Sequence, residues 1–217
     1  MIKVKYYLHA LFNVSVKEYS SKAWMSPGTK IRLLFAYGLT AGFVSSIAIS
    51  GLLLLVEKSV SLPVGTFYIM LSSAFVQSHG YYSINNIIFG FTLHLITGSV
   101  IGLVMCTPFI VLKGKSLGSL QKYAVGYGLG FGFALWSFFF IPITLWIILP
   151  ILDASQDKTI IQEVPAQVDV MFSTDKLAIL LDRIMIGAIA FNMFYGLLVA
   201  IMIKSLFEYR LKKESAP

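Results

Sequence analysis

Charged side chains are scarce in this sequence. Asp, Glu, Lys and Arg make up 12% of the 217 residues, whereas hydrophobic residues make up 57%. Soluble domains carry about 25% charged residues, because a chain folded in water must cover its surface with polar groups. The composition therefore excludes an ordinary soluble domain and favours a single membrane domain.

Several catalytic and metal-binding patterns are missing as well. The sequence contains no P-loop, no HExxH and no CxxC, and its one cysteine, Cys106, has no partner for an internal disulfide. No catalytic residue is predicted, an enzymatic activity is not expected, and the identity of any cofactor stays open.

Long apolar runs are what the sequence does contain. A helix rises about 1.5 Å per residue, so roughly 20 apolar residues cross the hydrocarbon core of a bilayer. We predict an all-α membrane protein with four transmembrane helices and one short re-entrant or interfacial half-helix at 62–79. The four predicted spans are residues 31–56, 84–112, 123–149 and 178–203.

The remaining segments complete the expected domain organisation around the four-helix transmembrane domain, 31–203. Residues 1–30 form a basic cytoplasmic region that is either an interfacial helix or a partly ordered tail. Residues 150–177 form an acidic outer loop, and residues 204–217 form a basic cytoplasmic tail.

The distribution of Lys and Arg decides how many times the chain crosses. Four crossings place 13 basic residues on one side and three on the other, with Arg183 inside a span, whereas a fifth crossing at 62–79 would place eight on each side. Basic residues accumulate on the cytoplasmic side, so four crossings are preferred, with both termini in the cytoplasm. Glu57 and Lys58 then mark the outer end of the first span.

Small residues recur at every fourth position on all four spans. Such a row forms a ridge on a helix, and small side chains let neighbouring backbones approach closely in lipid. The third span carries two rows, one through Gly126 and Gly130 and one through Gly128 and Gly132, and can accept neighbours on two sides. The expected helix-packing or polar seam consists of Gly38, Gly42, Ser46, Gly90, His94, Gly98, Gly102, Gly126, Gly130, Asn192 and Gly196.

His94 is the foremost functional candidate, because an ionisable residue inside a span is costly and usually has a role. Three interpretations remain open: a neutral imidazole hydrogen-bonded across a helix contact, a proton relay or substrate contact, and a metal or haem ligand. His79 and His94 are only weak metal candidates, since no cluster with ligand spacing accompanies them. Asp182 and Arg183, near the outer end of the fourth span, are candidates for an interface anchor or a substrate gate.

Three functions compete on this evidence. The favoured one is a non-catalytic packing or accessory subunit of a larger membrane complex. The second is a transporter or channel for a small solute or ion, with a site near His94 and Asn192, and the third is a redox subunit that binds haem or metal through His79 and His94.

The expected environment follows from where the charges lie. The net charge of +7 comes from basic residues at the ends of apolar segments, which indicates membrane topology and excludes a nucleic-acid partner. The expected partners are the lipid bilayer and either other membrane subunits or further copies in a homo-oligomer, and the expected location is the cell membrane.

Overall fold

The computed structural model describes the greater part of the chain, namely residues 27–60, 62–73, 75, 83–112, 121–148, 150 and 174–214. Nearly all of those residues are helical, and they include no strand. Four helices are long and apolar enough to cross a membrane and are called spans 1 to 4: Ile31–Ser59, Ile84–Val111, Ala124–Trp146 and Ile184–Arg210. The predicted all-α membrane fold with four transmembrane helices is confirmed.

Two spans contain π-helical turns. Span 1 is built from an α-helix, Pro27–Leu33, a π-helix, Leu34–Gly38, and an α-helix, Leu39–Ser59. Span 3 runs through Ala124–Leu135 (α), Trp136–Phe140 (π), Ile141–Ile143 (α) and Thr144–Ile148 (π). Pro142 lacks an N–H group and cannot donate to a carbonyl of the preceding turn, which accounts for the wider turn Trp136–Phe140 before it.

The other two spans are uninterrupted α-helices. Span 2 is the helix Ile84–Val111, and its first turn is capped by Ser83, whose hydroxyl accepts a hydrogen bond from the Asn86 N–H at 3.2 Å. Span 4 is part of the 41-residue helix Thr174–Glu214, which extends beyond both ends of the predicted 178–203.

Spans 1 and 2 pack through glycine. A methyl group at Gly38 would lie 2.6 Å from Leu103 Cα, and one at Gly102 would lie 2.6 Å from Gly42 Cα. Gly42 in turn lies directly against the Gly98 carbonyl. Because the hydrophobic effect does not drive helices together in lipid, backbone contact of this kind is what allows the two helices to associate.

Spans 3 and 4 form a second pair, again through backbone contact at glycine. A methyl group at Gly128 would lie 2.6 Å from the Gly196 carbonyl oxygen and 2.9 Å from the Ala200 Cβ, and Gly132 lies against the backbone of Asn192. This contact uses only one of the two small-residue rows of the third span.

An aromatic cluster joins the pairs near the end where span 1 begins. It takes one ring from each span: Tyr37, Phe109, Tyr127 and Phe207. The rings of Tyr37 and Phe207 meet edge to face at 5.3 Å, and the Tyr127 hydroxyl donates to the Met105 carbonyl at 3.0 Å. This half of the bundle is therefore filled by large apolar side chains.

The outer surface of the bundle is apolar. Large side chains that are more than 40% exposed occur on several spans, among them Phe35, Phe43, Val100, Phe138 and Trp146. Such a surface suits contact with lipid, where exposed apolar side chains cost nothing.

Some predicted segments fall outside the described residues. They are most of the basic region 1–30, nearly all of the acidic loop up to residue 173, the end of the tail, and His79 with its neighbours 76–82. Asp182 and Arg183 belong to the backbone of the helix Thr174–Glu214, and their side chains lie outside the described part.

The two glycine rows of span 3 offer a matched test of the helix contact. We expect Gly128→Ala to destabilise the folded protein by about 1–3 kcal/mol, because the added methyl group meets backbone atoms of span 4. Gly126→Ala adds the same group where nothing lies within 4 Å and should leave stability unchanged or slightly higher. Thermal unfolding of both variants in detergent checks this, and equal melting temperatures would contradict the contact.

Candidate functional site

A short helix, Thr66–Ser73, lies between spans 1 and 2 and occupies part of the predicted half-helix at 62–79. It follows a turn at Gly65, whose φ of +90° belongs to the left-handed region that favours glycine. The Thr66 hydroxyl donates to the Pro63 carbonyl at 2.6 Å and closes the same turn.

The carboxylate of Glu57 holds the start of the short helix. Its Oε2 accepts from the Gly65 N–H and its Oε1 from the Phe67 N–H, both at 2.7 Å, and the residue is only 5% exposed. A negative group at this place satisfies N–H groups that have no partner within the helix and opposes the positive end of its dipole. Glu57 is thus a buried cap and not only the marker of the end of span 1.

The short helix packs against span 2 at Gly90. The Tyr68 carbonyl lies directly on Gly90, where any side chain would displace it. The rings of Phe67 and Tyr68 approach the His94 ring, with centroid distances of 5.8 and 6.1 Å. By the helical rise, His94 lies about 5 Å from the middle of span 2, so these ring contacts lie well inside the length of that span.

Five polar residues from four helices meet beside this contact. This polar cluster consists of Ser46, Ser50, Tyr68, His94 and Tyr195. The Tyr195 hydroxyl donates to the Gly98 carbonyl and lies beside the Ser46 side chain. The His94 imidazole faces the Ser46 carbonyl, and the Tyr68 hydroxyl lies beside the Ser50 side chain.

Four polar atoms of the cluster are buried without a hydrogen bond from the described residues: Ser46 Oγ, Ser50 Oγ, Tyr68 OH and His94 Nε2. Most buried polar groups in proteins are paired, and leaving one unpaired costs about 1–3 kcal/mol. The Tyr68 and Ser50 hydroxyls lie beside each other and the Ser46 hydroxyl lies beside Tyr195, so small rotations can pair these three groups, whereas His94 Nε2 is open to an added hydrogen-bonding partner.

The structure brings together only some of the residues expected in the seam. Gly38, Gly42, Gly98 and Gly102 lie in the contact between spans 1 and 2, and Ser46 packs on Gly98 next to it. Gly90 supports the short helix, and Gly196 lies in the contact between spans 3 and 4.

Three of the expected seam residues are placed differently. Nothing lies within 4 Å of a methyl group at Gly126 or Gly130, because the other row of span 3 makes the helix contact. The Asn192 amide donates to the Ala188 carbonyl of its own helix at 2.8 Å. No hydrogen bond or ring contact among the described residues joins Asn192 to His94. Tyr195 is the residue of span 4 that joins the polar cluster, through its hydrogen bond to the Gly98 carbonyl.

Sequence reasoning missed Tyr68 and Tyr195 as members of the site. Both resemble ordinary apolar residues within hydrophobic segments, although the hydroxyl of a tyrosine buried in a membrane also needs a hydrogen-bonding partner. Ser50 continues the row of Ser46 one turn further along span 1, and that continuation was the available signal.

The described residues contain no set of donor side chains that could hold a metal ion. No group of three or more His, Cys, Asp or Glu side chains comes together there. Cys106 is fully buried among the apolar side chains of the bundle.

No family model, curated protein or solved structure matches this chain. The functional interpretation therefore depends on the site itself.

Replacing the buried glutamate should release the short helix. In Glu57→Ala, the Gly65 and Phe67 N–H groups lose their acceptor, and hydrogen bonds to a charged group contribute about 1.5–3 kcal/mol each. We expect faster hydrogen exchange over residues 65–73, measured by mass spectrometry, with unchanged protection in spans 3 and 4.

Glu208→Ala is the matched control. It removes a glutamate whose ion pair with Lys204, at 3.8 Å, is partly exposed to its surroundings, and such pairs contribute little. Unchanged exchange at 65–73 in Glu57→Ala would argue against the cap.

Proposed function

We propose that this multi-pass membrane protein is a small transporter or channel that passes a small polar solute or ion through the polar cluster. The observation that carries the proposal is the set of four buried, unpaired polar atoms at mid-membrane depth. A helix contact that served packing alone would gain by pairing these atoms or by replacing them with apolar groups.

The short helix supports the same proposal. Helices that end within the membrane build substrate sites near the midplane of transporters, because irregular backbone is tolerated there only inside protein or beside a wet cavity. Here the first turn of such a helix lies beside His94 and supplies Tyr68 to the cluster.

We further propose that the protein lies in the cell membrane with both ends in the cytoplasm, so that the short helix enters from the outer side. The excess of Lys and Arg near the chain ends supports this orientation. Single cysteines placed at residues 3 and 215, in a Cys106→Ser background, should both react with a membrane-impermeant maleimide only after intact cells are opened. Labelling of either in intact cells would reverse or abolish this topology.

The transport proposal is tested on the full chain in proteoliposomes. We expect the permeability to at least one of urea, glycerol, H⁺, K⁺ and Cl⁻ to exceed that of empty vesicles. Tyr195→Phe removes the hydroxyl that lies between Gly98 and Ser46. It should lower that permeability, because the cluster loses a hydrogen bond that fixes its geometry.

Two variants control for nonspecific damage. Tyr127→Phe also removes a hydroxyl that donates to a backbone carbonyl, but in the aromatic cluster, and Asn192→Ala removes an amide bonded to its own helix. Both should keep the permeability of the unaltered chain. Permeability equal to that of empty vesicles for all five probes would refute the proposal, as would equal losses in Tyr195→Phe and Tyr127→Phe.

A second candidate is the accessory subunit that the sequence favours. One observation supports it: the row through Gly126 and Gly130 faces away from the described helices and leaves room for another helix. If this row binds a partner subunit, Gly130→Leu should release that partner during native electrophoresis of a mild-detergent extract. The same mobility before and after the substitution would count against this role.

A further inference from the structure

We infer that the polar cluster takes a small uncharged solute that donates hydrogen bonds, an inference that rests on the proposed transport function. Three properties of the cluster point to this class of solute, namely its charge, its acceptor atoms and the tightness of its packing.

The cluster offers no countercharge for an ion. Its members are two serines, two tyrosines and one histidine, and no Asp, Glu, Lys or Arg side chain belongs to it within the described residues. The Glu57 carboxylate lies within electrostatic range of the Tyr68 hydroxyl, but each carboxylate oxygen already accepts a hydrogen bond from a backbone N–H group. An inorganic ion would lose its hydration here without an opposite charge to replace it.

The free atoms of the cluster favour a hydrogen-bond donor. One imidazole nitrogen of His94 faces the Ser46 carbonyl, and a neutral imidazole can approach a carbonyl favourably only through its N–H. Nε2 makes no hydrogen bond with the described residues, and it presents a lone pair in the tautomer that carries the proton on Nδ1. The hydroxyls of Ser46, Ser50 and Tyr68 add three groups that can both accept and donate.

A bare proton fits these contacts less well than a solute. Proton relay needs a continuous chain of groups that pass hydrogen bonds to one another, whereas the Ser50 and Tyr68 hydroxyls lie beside each other but make no hydrogen bond to His94 or Tyr195 within the described part of the chain. Tyr195 donates its proton to the backbone carbonyl of Gly98, which cannot pass it on.

Close packing limits the size of the solute. Ser46 rests on Gly98 and the Tyr68 carbonyl rests on Gly90, so the helices touch on both sides of His94. Only a solute of a few heavy atoms, without a hydration shell, suits a site between such contacts.

The test compares the unaltered chain and two histidine variants in proteoliposomes, with urea and glycerol as uncharged probes and H⁺, K⁺ and Cl⁻ as charged ones. His94→Phe keeps a ring beside Phe67 but removes the acceptor, whereas His94→Gln restores a polar group of similar reach. Loss of one hydrogen bond predicts that His94→Phe lowers urea or glycerol permeability about fivefold. His94→Gln should recover most of it.

Tyr68→Phe gives a variant whose folding is not in question. It removes only a hydroxyl that makes no hydrogen bond with the described residues and keeps the ring that packs on Phe91 and His94. It should elute from a sizing column as the unaltered chain does and lower urea or glycerol permeability without creating ion permeability.

The outcomes separate the two proposals. Permeability to urea or glycerol that falls in His94→Phe and Tyr68→Phe, without ion permeability, supports the uncharged solute. Permeability to H⁺, K⁺ or Cl⁻ that depends on the same residues would overturn this inference and leave the transport proposal standing. Permeability to no probe above that of empty vesicles would overturn both.

Discussion

Backbone contact at glycine is the constraint on which the rest of this structure depends. In water, burial of apolar surface holds helices together, but lipid chains are as apolar as leucine and offer no such gain. The chain instead removes side chains at Gly38, Gly42, Gly98 and Gly102, and again at Gly128 and Gly196, so that backbones touch. Two helix pairs result, and the aromatic cluster joins them at one end.

The same contacts place the polar groups. Gly98 leaves room for the Ser46 side chain, and its carbonyl, now within reach of span 4, accepts from Tyr195. Gly90 leaves room for the Tyr68 carbonyl, which sets the depth of the short helix beside His94. Gly90 and Gly98 therefore make room for the polar cluster, and a larger residue at either position would separate its members.

The fold was largely predictable from the sequence, whereas the site was only partly so. Long apolar runs predict four spans, and four helices of the structure are long and apolar enough to cross a membrane. Gly90, His94, Gly98 and Gly102 lie on the face of span 2 that meets other helices, because spacing of four residues keeps side chains on one helix face.

Choices that depend on tertiary contact could not be read from spacing. Span 3 carries two equivalent glycine rows, and only the position of span 4 selects the row through Gly128. Asn192 and Tyr195 lie three residues apart on one helix, yet Asn192 donates to Ala188 of its own helix whereas Tyr195 donates to Gly98 of span 2. Glu57 resembles a residue at a membrane boundary until the chain turns at Gly65 and brings two N–H groups to its carboxylate.

The two halves of the bundle differ in a way that bears on mechanism. Glu57, Ser50 and Ser46 follow one face of span 1 inward from the end near the short helix, all of them buried. Beyond Ser46 the same face continues with Gly42 and Gly38, which are closed against span 2. In the proposed transport function, a solute at the polar cluster has polar neighbours toward one end of the bundle only, since the aromatic cluster fills the other half.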